Sequence, residues 1–241
     1  MAKAIGFSRK IRLQWLNKAV DLLEEDLTEG EYKAKMNEYL SFEIESPTVL
    51  RKTREILMRV WFYEDDTCVT AIRKDALRLI RKYPDYDLAI HWCLLLAVFP
   101  VFADISRLIS KIAEFTDGIT LRQLKQKMYD EWGERSTIYH STGKIMETNK
   151  ELGVISSDKP GCYNIIPHKV TNQDVVAFMI CVAMKVDGGS YYSFSELKSF
   201  DVLYPFEYNI SKEEFLSNEN IIITNLGGEL SIALKNGKQK V

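Results

Sequence analysis

Apolar residues recur every three or four positions through the first half of the chain, the spacing of one face of an α-helix. From Arg9 to Glu25 that face is Ile11, Trp15, Leu16, Ala19, Leu22 and Leu23. Thr28, with Glu31 three residues on, predicts a capping box for a second helix carrying Tyr32, Met36, Tyr39 and Leu40. Ser46-Pro47-Thr48 predicts a third start, an N-cap followed by proline at the first helical position. That helix runs to about Tyr63 and turns Val49, Leu50, Ile56, Leu57, Val60 and Trp61 inward. A fourth begins near Asp65 or Asp66 and stops before Pro84, and two more straddle Pro100.

The texture changes at Asp117-Gly118, a turn. Thr120 caps LRQLKQKMYDEW, which points Leu121, Leu124, Met128 and Trp132 inward and stops at Gly133. Ser136 caps the next helix, which Gly153 ends. Then come VIS, the turn SDKPG and CYNII, a hairpin signal. Helix, short turn, helix and hairpin is the layout of a winged helix-turn-helix.

Thr171 starts a strongly apolar helix, VVAFMICVAM, broken at Asp187-Gly188-Gly189. Ser193 with Glu196 predicts a capping box for a short helix. IIITNLGGELSIAL reads as two strands joined by a turn at Asn225-Leu226-Gly227-Gly228. The expected fold class is therefore mainly α. It comprises an N-terminal helical bundle over 1–115, a central winged helix-turn-helix over 116–169 and a small α+β C-terminal region over 170–241.

Composition fits an ordinary globular protein, with 46% apolar and 27% charged residues in 241. A net charge of −2 excludes a whole-chain basic field, so a nucleic-acid site must be a local patch. Cysteines at 68, 93, 162 and 181 form no CxxC pair and read as reduced thiols. The first twenty residues lack a continuous apolar stretch after their charges, so no signal peptide is expected. LAIHWCLLLAVFPVFADI, residues 88–105, is short for a membrane span and broken by Pro100; a buried helix and a cytoplasmic protein are expected.

On the helix after Gly133, Ile138, Thr142, Ile145, Asn149 and Leu152 fall on one inward face. The other face presents Arg135, Tyr139, His140, Gly143, Lys144, Glu147 and Lys150. A helix laid in a major groove reads bases mainly with its N-terminal residues, here Arg135, Ser136, Tyr139, His140 and Lys144. Arginine can hold a guanine edge or a phosphate with two hydrogen bonds. Gly143 could allow close approach of a sugar–phosphate strand, and Lys159 at the hairpin tip could reach a neighbouring phosphate. Arg51, Lys52, Arg54 and Arg59 on the third helix, with Arg9, Lys10 and Arg12 before it, could extend a phosphate track. Residues 116–170 hold eight Lys/Arg against seven Asp/Glu, which leaves nucleic-acid contact and protein contact both open.

No GxxxxGK[ST], GxSxG, HExxH or GxGxxG after a strand occurs. No catalytic residue, metal site or cofactor is expected, and the chain is read as non-enzymatic. His91, inside an apolar helix, reads as a satisfied core residue.

Three segments carry a family likeness: SPTVLRKTREILMRVWF at 46–62, AIHWCLLLAVFPVFADISRLI at 89–109 and WGERSTIYHSTGKIMETNKELGVI at 132–155. In that order they resemble the BrxA-like proteins of BREX bacteriophage-exclusion systems. The resemblance implies a double-stranded-DNA-binding accessory protein of anti-phage defence, acting beside larger methyltransferase and ATPase components. Arg51, Lys52, Arg54, Arg59 and the segment starting at Arg135 match the family's pattern. The likeness ends near residue 170, and the acidic tail beyond would serve a protein partner or dimerisation.

Overall fold

A computed structural model describes residues 6–64, 66–116, 118–218, 220–226 and 229–235. Asp65 as a helix start, Asp117 of the turn and Gly227-Gly228 of the last turn lie outside the described residues. Six helices form the first half: α1 (Leu13–Asp21), α2 (Glu29–Ser41), α3 (Pro47–Trp61), α4 (Thr67–Lys82), α5 (Asp87–Val98) and α6 (Pro100–Ala113). In this half the predicted capping signals of α2, α3 and α4 form. Thr28 and Glu31 close a capping box on α2, and Ser46 accepts from the Val49 N–H ahead of Pro47 on α3. Asp66 caps α4 through the Cys68 and Val69 N–H groups. Pro100 divides α5 from α6 at a bend of 116°; among the described residues no single helix is long and apolar enough to cross a membrane.

The first helix starts later than its periodicity predicts. Phe7 to Arg12 is not helical but an irregular strap, bent at Arg9, beside a later helix, α8 (Ser136–Glu151). The Ser141 hydroxyl donates to the Phe7 carbonyl at 2.5 Å, and the Ile11 N–H donates to Thr148 Oγ1 at 3.0 Å. Side chains of α8 thus satisfy backbone groups that an α-helix would have used, while Phe7 and Ile11 stay fully buried. This is why Ser141 and Thr148 are buried as well as the predicted Ile138, Thr142, Ile145 and Asn149.

His91 on α5 is a satisfied core residue. Trp61 Nε1 donates to its Nδ1 at 3.1 Å, and its Nε2 lies 2.7 Å from Asn17 Oδ1, which fixes the neutral tautomer. Burial lowers its pKa to about 3.

The middle of the chain runs β1 (Ile119–Thr120), α7 (Leu121–Trp132), α8, β2 (Ile155–Lys159) and β3 (Cys162–Ile165). The sheet is antiparallel in the order β1-β3-β2, with Ile119 opposite Tyr163 and Ile155 opposite Ile165. The two-residue β1 is too short to show a period-two pattern, so the sequence reads only a hairpin. Thr120 and Gln123 form a capping box on α7. Gly133, at φ +82°, ends it and redirects the chain. Arg135, not Ser136, takes the N-cap position of α8; Ser136 is the first helical residue, and no side chain caps this end.

β4 (His168–Val170) pairs in parallel with β6 (Phe206–Tyr208), and β5 (Tyr192–Ser193) joins β7 (Ile221–Leu226) and β8 (Glu229–Leu234) in the order β5-β8-β7. Between them, α9 (Gln173–Asp187) starts from an Asn172 cap one residue past Thr171 and packs on α4 and α5. Val175 to Met184 are buried without a break. Trp92 of α5 donates to the Val202 carbonyl at 3.0 Å and meets the rings of Phe102, Tyr204 and Phe206. A short α10 (Lys212–Leu216) follows β6. One apolar cluster runs from Phe7 to Ile232, so the core is continuous through all three segments.

Candidate nucleic-acid interface

Packing of α7 on α8 creates an exposed aromatic and basic edge. Tyr139, on the second turn of α8, is 44% exposed. Lys125 of α7 sets its ammonium 3.4 Å from the Tyr139 ring centroid, close enough for a cation–π contact. Tyr129 lies 6.2 Å away on the α7 side, and His140 stands edge-on at 5.7 Å. Ser136 and His140 are exposed, and Arg135 is half-buried with its Nε unpartnered. Arg122 is exposed one turn before Lys125, on the side of α7 away from buried Leu124 and Met128.

Lys159 reaches the same end of α7. It sits opposite Cys162, which pairs in turn with Thr120, so Lys159 stands about 10 Å, two strand spacings, from the start of α7. The Leu121 N–H donates to the Gly161 carbonyl at 2.9 Å and fixes the hairpin tip there. Arg122, Lys125, Arg135 and Lys159 enter no ion pair among the described residues. Their charges are available to an anion.

Lys144 belongs to a different surroundings. It bonds Glu147 at 2.7 Å and, with Arg9, Lys10 and Arg12 of the strap, lines a cleft of 730 Å³ against Ser46, Val49 and Thr53 at the start of α3. Two of the strap cations are neutralised: Lys10 pairs with Glu151, and Arg12 pairs with Glu43 and lies 3.0 Å from Glu151, while Arg9 donates to the Ser8 carbonyl at 2.6 Å. Glu43 also accepts from Trp15 Nε1 and Gln14; the Trp15 bond first, then Gln14 and the Arg12 charge, outweigh burial and hold its carboxyl below the usual range. Glu151 is lowered likewise, chiefly by Lys10. The four cations and Glu43, Glu45, Glu147 and Glu151 balance. The spacing that grouped Lys144 with Arg135 could not show this, because Glu43, Glu45 and the strap are brought there by distant packing.

No family model, no curated protein and no solved structure matches this chain.

The α3 residues do not form one stripe. Arg51 is exposed and Lys52 half-exposed. Arg54 is turned to α2, where it donates to Asn37 at 2.9 Å and pairs with Glu55 at 2.7 Å. Arg59 is exposed, and its guanidinium lies against Gly6 at the head of the strap, near the first half of α8. The strap therefore stands between α3 and α8. Arg122, Lys125 and Tyr129 are the residues sequence reasoning missed. Their signal was the outward spacing of 122, 125 and 129 on a helix read only for its inward face.

Gly143 is not required by packing, since a Cβ there would meet nothing within 4 Å. Among the described residues no group of three or more His, Cys, Asp or Glu is placed to hold a metal ion.

Proposed function

We propose that α6, β1, α7, α8, β2 and β3 form a winged helix, and that the protein binds double-stranded DNA through it without catalysing a reaction. The order of these elements and the β1-β3-β2 sheet support that reading. The observation that carries it is the exposed aromatic edge between α7 and α8, where Lys125 lies on the Tyr139 ring; Arg122, Arg135 and Lys159 on the same elements also enter no ion pair among the described residues. Groove contact falls to Arg135, Ser136, Tyr139 and His140, and phosphate contact to Arg122, Lys125 and Lys159. Arg51, Lys52 and Arg59 extend the phosphate contacts only where the duplex passes the strap. The resemblance to BrxA-like proteins supports a place in BREX-type anti-phage defence, beside other proteins of the system.

Contact with a partner protein is the second reading. The near balance of eight Lys/Arg and seven Asp/Glu over 116–170 favours it. Fluorescence anisotropy with a labelled duplex separates the two. Lys125→Glu combined with Arg135→Glu should weaken binding at least about tenfold, since each reverses a charge near a phosphate. An unchanged affinity contradicts this assignment of the surface.

A further inference from the structure

We propose that the Tyr139 ring is a stacking platform for an unpaired base, so that the surface prefers DNA with a locally extruded nucleotide over fully paired duplex. This rests on the DNA-binding reading and names the form of DNA the site takes. Tyr139 is the one large hydrophobic residue left exposed between β1 and β3 among the described residues. Its hydroxyl makes no hydrogen bond among the described residues, so nothing but ring contacts orients it.

Those contacts are specific. Lys125 covers the ring at 3.4 Å, and Tyr129 and His140 flank it at 6.2 and 5.7 Å. A ring already held in place loses little freedom on binding. With Lys125 on one face of the ring, a nucleobase stacks on the other, and every base offers a π-face for it. In a paired duplex those faces are covered by neighbouring pairs. Only an unstacked base can use the exposed part of the ring, while Arg122 and Lys125 meet the flanking phosphates.

The test uses the full chain and two duplexes that differ by one unpaired 2-aminopurine, whose fluorescence falls on stacking. The bulged duplex should bind about tenfold more tightly than the paired one, with quenching. Tyr139→Phe should keep both effects, because stacking needs the ring and not the hydroxyl. Tyr139→Ala should abolish the quenching and bring the bulged duplex to the same affinity as the paired one, whatever groove contact is lost from both; the side chain is exposed, and circular dichroism confirms the fold. Equal affinity for the two duplexes, or a preference that survives Tyr139→Ala, overturns the inference and leaves the DNA reading standing. No binding to either duplex overturns both.

Discussion

The ammonium of Lys125 lies 3.4 Å from the centroid of the Tyr139 ring, and this contact makes one surface of two helices. Without it, the N-terminal half of α8 would present a tyrosine and a histidine with few charges. With it, Lys125 of α7 joins Tyr139 and His140 of α8 in one edge. Lys125→Ala should weaken duplex binding and reduce the salt slope by about 1, the value for one lost phosphate contact. Parallel salt titrations of the two proteins measure it.

The strap should behave differently. Arg12 is engaged by Glu43 and Glu151, so its charge is already spent within the fold. Arg12→Ala should leave duplex affinity within about twofold, because a pair already neutralised releases few counterions. A steep loss, measured by the same anisotropy, would bring the cleft at Lys144 into the interface.

Thr148 holds the strap through the Ile11 N–H at 3.0 Å. Thr148→Val keeps the volume and leaves that buried N–H without its acceptor. The expected cost is about 1–3 kcal/mol. Chemical denaturation gives the value; a change below the scatter of the measurement would mean that water replaces the hydroxyl.

Gly143→Ala separates stability from binding. A Cβ at this position meets nothing, and alanine favours a helix interior over glycine by about 1 kcal/mol. Thermal unfolding should therefore shift upward. If the DNA backbone approaches α8 closely at this turn, duplex affinity falls at the same time; unchanged affinity keeps the contact to the first turn and a half.

His91 gives a pH dependence. Its folded pKa, about 3, lies below its ordinary value of 6.5, so the unfolded chain binds the proton more readily between those limits. Stability is then full above about pH 6.5 and falls with acidification by roughly 1.4 kcal/mol per pH unit, until the folded histidine itself protonates. Denaturation midpoints at pH 7 and pH 5 check this. His91→Gln removes the titrating group and should flatten that limb, whatever its own effect on stability.

Helices, caps and inward faces were legible because they depend on neighbours three or four residues apart. Thr28–Glu31, Ser46-Pro47 and the Ile138-to-Leu152 stripe all rest on such spacing. The strap was not legible: Ile11 and Trp15 suit a helix, and only the distant Ser141 and Thr148 hold residues 7–12 out of one. The short strands β1, β4 and β6 likewise depend on partners far along the chain. The interface was half legible. Arg135, Tyr139 and His140 are adjacent in sequence, whereas Lys125 joins them only through packing, and Lys144 leaves them because Glu147 and the strap claim it.

The most direct test of DNA binding through the α7–α8 edge is duplex affinity as a function of salt concentration. The three cations assigned to phosphates, Arg122, Lys125 and Lys159, predict that log Kobs falls against log[salt] with a slope of about −3. No duplex binding at low salt, or an affinity indifferent to salt, would contradict it.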